Sequence, residues 1–103
     1  GDIVKLAGKR ASLAGLNRIL CEIEGVRDGV FVAPDNIEAD PGARLSAFVV
    51  APGHSQDEIL AALRARVESA FLPRPMLMVH ALPRDALGKL SRQALVALRE
   101  GRA

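Results

Sequence analysis

The chain has no tryptophan and no tyrosine, and its aromatic residues are Phe31, Phe48 and Phe71 alone. A core built here must be aliphatic, and the aromatic platforms on which single-stranded nucleic acids stack are missing. Net charge is only +2, too weak to announce a nucleic-acid partner. Cys21 is the single cysteine, which excludes an internal disulfide and fits a reducing, cytoplasmic setting. Apolar runs are short and broken by charge, so nothing reads as a membrane span. No segment reads as a signal peptide, and no Gly-rich phosphate loop occurs. His54 has no second His or Cys nearby in sequence, so no metal site is expected.

What is present suffices for one domain, residues 1–103, with half of its residues hydrophobic. The chain opens on strand-like residues, Gly1-Asp2-Ile3-Val4, as a piece of something larger would. Asp2 to Leu6 reads as a strand, Ala7-Gly8-Lys9 as a tight turn, and Arg10-Ala11 as a short return strand. From Ser12 the period becomes helical, with Leu13, Leu16, Leu20 and Ile23 on one stripe. Ser12 is the expected N-cap and Gly25 the expected stop. Cys21, near the edge of that stripe, is expected to be a buried or half-buried thiol.

Val26 to Ala33 and Leu45 to Ala51 read as strands, separated by a polar connection containing Pro41-Gly42. Ser55 and Glu58 form a capping box. Ile59, Leu60, Leu63, Val67, Ala70 and Phe71 are then expected to form one helical face. Leu72-Pro73-Arg74-Pro75 is an extended connector, Met76 to His80 a third strand, and residues 92–100 a last helix stopped by Gly101. The order predicts an α+β fold: a small three-stranded sheet with packed helices plus an N-terminal β-hairpin.

One loop stands out, Leu82-Pro83-Arg84-Asp85-Ala86-Leu87-Gly88-Lys89-Leu90-Ser91-Arg92. Pro83 ends the preceding strand, and Gly88 allows a turn that a Cβ would resist. Ser91 is placed to cap the final helix, with Leu90 and Leu95 as a hydrophobic staple. Lys89 is thereby held at a loop tip, an ammonium suited to an anion arriving from outside.

Read together, two stretches carry a family resemblance. Asp2-Ile3-Val4-Lys5-Leu6-Ala7-Gly8-Lys9-Arg10 resembles the hinge-proximal motif of the adenylate-forming superfamily, which includes acyl-CoA synthetases, peptide-synthetase adenylation domains and luciferases. The Lys89 loop resembles the family's last motif, in which Pro, Gly-Lys and a trailing Arg recur. The likeness covers the whole chain and only the family's small C-terminal, or lid, domain. It implies that Lys89 is the catalytic lysine that contacts carboxylate and nucleotide during adenylation. It implies further that Gly8 and Arg10 lie on the thiol path, and that Gly1 and Asp2 lie at the hinge. Gly1 stands where the family usually has Asp or Lys. After Arg10, Ser12, Gly15 and Asn17 stand where the family usually has acidic residues. Asp85, in place of a usual Thr or Ser, is expected to pair with Lys89 when no nucleotide is bound.

The resemblance implies an AMP-forming acyl or aryl acid ligase using ATP and Mg2+, with CoA or a phosphopantetheine thiol as co-substrate. The partners implied are the chain's own N-terminal adenylation domain, a carboxylic acid, and CoA or a carrier protein. The hairpin and the Lys89 loop are expected on different faces, presented in turn by rotation of the domain. Alone the fragment is expected to be inactive. The alternative is a free-standing module that binds a carrier protein or regulator without chemistry.

Overall fold

The computed structural model describes residues 2–101. Strands β1 (Ile3–Leu6) and β2 (Lys9–Ser12) form an antiparallel hairpin with Val4 opposite Ala11 and Lys5 opposite Arg10. Only Ala7 and Gly8 close it, so Lys9 belongs to the strand rather than to the turn. Their φ angles are 53° and 76°, both left-handed, which is the turn whose twist matches the flanking strands.

Ser12 ends β2 and caps α1 (Leu13–Cys21), its Oγ accepting the Gly15 amide at 3.0 Å. The helix stops well before Gly25. The Glu22 amide turns back to the Arg18 and Ile19 carbonyls (3.0 and 3.3 Å) and the Ile23 amide to Leu20 (3.2 Å), a tightened last turn. Ile23 thereby enters the core at 4% exposure. Gly25, at φ 94°, serves the next turn, closed by the Val26 amide on the Ile23 carbonyl at 3.0 Å.

Three shorter strands than the sequence runs make the main sheet: β3 (Asp28–Val32), β4 (Ser46–Val50) and β5 (Met76–Met78). Their order is β3-β4-β5, with β3 antiparallel and β5 parallel to β4. A parallel pair needs a crossover, and α2 (Gln56–Arg64) supplies it. The capping box forms as expected: Ser55 Oγ accepts the Glu58 amide and Glu58 Oε1 accepts the Ser55 amide, each at 3.1 Å. The helix ends at Arg64, so Val67, Ala70 and Phe71 do not extend its face. Phe71 is buried instead through a short 3-10 turn, Ser69–Phe71. The last helix, α3 (Arg92–Arg99), is capped by Ser91, whose Oγ accepts the Ala94 amide at 3.0 Å.

Strand alternation divides the core in two. Phe31, Ala47, Val49 and Met76 face α1 and α2 and join Leu16, Leu20, Ile59 and Leu63 in the larger cluster, where the hairpin adds Val4. Val30, Val32 and Phe48 face the opposite way, against Leu82, Leu90, Leu95 and Leu98. The architecture is α+β, with the hairpin packed on one side of the sheet and the Lys89 loop and α3 on the other. Cys21 corrects the expectation of burial, for the residue is exposed. Its Sγ nevertheless turns toward the Gly29 carbonyl at 3.6 Å. Desolvation, reinforced by nearby Asp28, pushes its pKa up, so it stays a protonated thiol. No helix among the described residues is long and apolar enough to cross a membrane.

Candidate functional site: the Lys89 loop and the hairpin tip

The loop between β5 and α3 knots upon itself. The Gly88 amide donates to the Asp85 carbonyl at 2.9 Å, and the Asp85 amide donates to the Lys89 carbonyl at 2.9 Å. Asp85 Oδ1 accepts the amides of Leu87 (2.8 Å) and Lys89 (2.9 Å). Asp85 was expected to pair with the Lys89 ammonium. It binds the backbone instead, because a short Asp side chain reaches amides two and four residues on more readily than the end of a long lysine. Gly88 takes φ 83° and turns the chain so that Lys89 stands out.

Ala86, Leu87, Gly88 and Lys89 are all exposed, and Leu87 is 83% exposed. The Lys89 ammonium has no ion-pair partner among the described residues. Leu90, next in line, turns inward onto the smaller cluster with Leu95, as the staple requires.

Two arginines fasten the loop to the sheet. Arg84 grips Asp28 with a fork, Nε to Oδ2 and Nη2 to Oδ1, both 2.8 Å, and its Nη1 donates to the Gly88 carbonyl at 2.7 Å. The Arg84 guanidinium holds the Asp28 carboxyl below its ordinary pKa, with the Gly29 amide helping and partial burial opposing. At the other flank Arg92 Nη1 donates to the Ala33 carbonyl at 3.1 Å, and Nη2 pairs with Asp35 at 2.9 Å. Asp28 was not legible as a site residue. Its one signal is a charge opening an otherwise apolar strand.

The residues expected on the thiol path lie elsewhere. Gly8 is exposed at the hairpin tip, and a Cβ built on it would meet none of the described residues within 4 Å. Arg10 is exposed on β2, while its neighbour Lys9 pairs with Glu68 at 2.7 Å. Asp2 is committed to α1: its carbonyl accepts the Leu13 amide (2.9 Å), Oδ1 accepts the Ala14 amide (3.1 Å), and Oδ2 accepts the Ser12 hydroxyl. Gly1 lies outside the described residues. Among the described residues no His, Cys, Asp and Glu side chains group as metal ligands; His54 pairs instead with Glu58 at 3.3 Å.

No family model matches the chain. It is 27% identical over 97 residues to the nonribosomal peptide synthetase kk1B of Curvularia clavata, covering 89% of this chain and 1% of that protein. Among solved structures, Klebsiella oxytoca NpsA in complex with 3-hydroxyanthranilyl-AMSN matches at TM-score 0.77 and 26% identity, over 96% of this chain and 20% of that one. A Mycobacterium tuberculosis fatty acyl CoA synthetase matches at TM-score 0.75 and 22% identity, over 97% and 20%. The chain therefore spans about a fifth of these solved chains. These likenesses show an α+β fold shared with part of a nonribosomal peptide synthetase and part of a fatty acyl CoA synthetase. The chain is similar to the C-terminal AMP-binding domain of the adenylate-forming superfamily.

Proposed function

We propose that this chain is the mobile lid of an ATP-dependent, AMP-forming acyl or aryl acid ligase, acting in the cytoplasm. The observation that carries the reading is the Lys89 ammonium, exposed and without an ion-pair partner among the described residues, on a loop whose two flanks are fastened to the sheet. Attack of a carboxylate on the α-phosphate of ATP brings anions together, and a cation placed between them offsets that repulsion. Lysine suits the task as a compact point charge on a long stem. As the family resemblance implies, Mg2+ and the triphosphate are held mainly by the large N-terminal adenylation domain.

The hairpin serves the second half-reaction, transfer of the acyl group to CoA or to a carrier-protein thiol. Gly8 leaves a slender thiol arm unobstructed, and Arg10, exposed across the hairpin from Lys5, supplies positive charge for its phosphates. The hairpin packs with the larger core cluster and the Lys89 loop with the smaller, which supports a reading in which rotation of the domain presents one and withdraws the other. The acid substrate is held by the large domain.

The test is pyrophosphate exchange in the enzyme that carries this domain. Lys89→Ala is expected to slow it by a hundredfold or more, on the scale of removing one transition-state charge partner. Exchange at the wild-type rate would contradict the reading and favour a binding module without chemistry.

A further inference from the structure

The Lys89 loop leaves the sheet at β5, on one edge, yet it is fastened to β3, on the other. It crosses the face formed by Val30, Val32 and Phe48, where Leu82 and Leu90 pack beneath it. Asp28 lies at the start of β3 and Ala33 just past its end, about 17 Å apart at the usual strand rise. Arg84 and Arg92 thus hold the loop at both ends of one strand.

The two fastenings are unequal. The Asp35 side chain that meets Arg92 is 89% exposed, whereas that of Asp28 is 27% exposed. A water-washed pair contributes little, and a half-sheltered fork more. Arg84 also does what Arg92 does not. Its third nitrogen donates to the Gly88 carbonyl, which belongs to the peptide bond leading into Lys89. One planar side chain therefore connects the rigid sheet to the backbone that carries the ammonium. Lysine has no such fork and cannot make both links.

We infer that Asp28 and Arg84 are positioning residues for Lys89, holding its peptide in place before the loop meets the nucleotide. The inference rests on the reading of Lys89 as the adenylation cation. A loop already fixed need not be ordered on docking, so its lysine arrives aimed. Asp28 acts on Arg84, and Arg84 on the Gly88–Lys89 peptide; neither touches the reacting atoms.

The experiment is a mutant cycle in the enzyme that carries this domain. Arg84→Lys and Asp28→Asn are each expected to lower kcat for adenylation about tenfold, since misplacement by an ångström costs up to a hundredfold. KM for ATP should stay within about twofold, and thioester formation from supplied acyl-adenylate should be unchanged. In a Lys89→Ala background Arg84→Lys should add nothing. An equal loss with and without Lys89 would overturn the inference, and so would equal loss in both half-reactions. If Lys89→Ala itself leaves adenylation intact, the functional reading fails rather than the clamp. Amide exchange in this chain reports on the clamp separately. In Arg84→Lys the Gly88 and Lys89 amides should exchange at least tenfold faster, with those of β4 unmoved. Unchanged loop amides, or equal acceleration in β4, would overturn the clamp.

Discussion

Gly8 can be weighed on its own. Its φ of 76° is a region that a Cβ resists, yet the space around it is open. The demand for glycine thus comes from the backbone, and nothing among the described residues packs against the missing side chain. Asn tolerates the same region, so Gly8→Asn should melt within a few degrees of wild type. Gly8→Leu should cost about 1–2 kcal/mol, a fall of roughly 5–10 °C in Tm for a domain of this size. Ala7 shares the turn at φ 53° without being glycine. Ala7→Asn installs the Asn-Gly pair that such turns prefer and should raise the melting temperature by a few degrees. A lower Tm would mean that the turn is of another kind. Gly8 was legible as a turn residue from its place between two short strand-like runs. That Ala7 bears a positive φ was not, because alanine gives no local signal for it.

Helices begin where the sequence says and end where the core decides. Ser12, Ser55 and Ser91 all cap helices, since an N-cap is a contact between a hydroxyl and an amide three residues on. Ser55→Ala should cost about 1 kcal/mol, read as a lower denaturant midpoint with an unchanged slope. The helix ends at Cys21 and Arg64 were misjudged because apolar residues at helical spacing, Ile23 after the first and Val67, Ala70 and Phe71 after the second, continue beyond them. What stops the helices is the pull of Ile23 and Phe71 into the core, a tertiary demand that no window of sequence contains. The contact of α1 with β3 is equally specific. A Cβ on Gly29 would fall 2.6 Å from Leu20 Cδ2, and Leu20 is fully buried with nowhere to move. Gly29→Ala should therefore destabilise the fold by about 1–3 kcal/mol, as overpacking does, measurable by chemical denaturation. A neutral result would show that α1 can slide on the sheet.

Across the whole molecule, the element order and the α+β class followed from periodicity and turn residues, whereas the fastening of the loop did not. Asp28 and Arg84 lie 56 residues apart, and only the crossing of the sheet by the Lys89 loop brings them together. Their pairing makes a pH prediction. Arg84 depresses the folded-state pKa of Asp28, while an unfolded Asp titrates near about 3.9. The pair's stabilisation is thus complete above that value and is lost as pH falls through the depressed folded pKa. Asp28→Asn should be less stable than the wild type at about pH 6, and the gap should narrow progressively as pH falls below the unfolded Asp value. A gap that stays constant across this range would mean that the loss came from packing rather than charge.

A single comparison bears most directly on the division of labour between tip and hairpin. Both half-reactions are timed, in the enzyme that carries this domain, for Lys89→Ala and for Gly8→Leu. The account predicts opposite defects: Lys89→Ala loses acyl-adenylate formation and keeps thiol transfer from supplied adenylate, while Gly8→Leu keeps the first and loses the second. Parallel losses in both steps for both variants would contradict it.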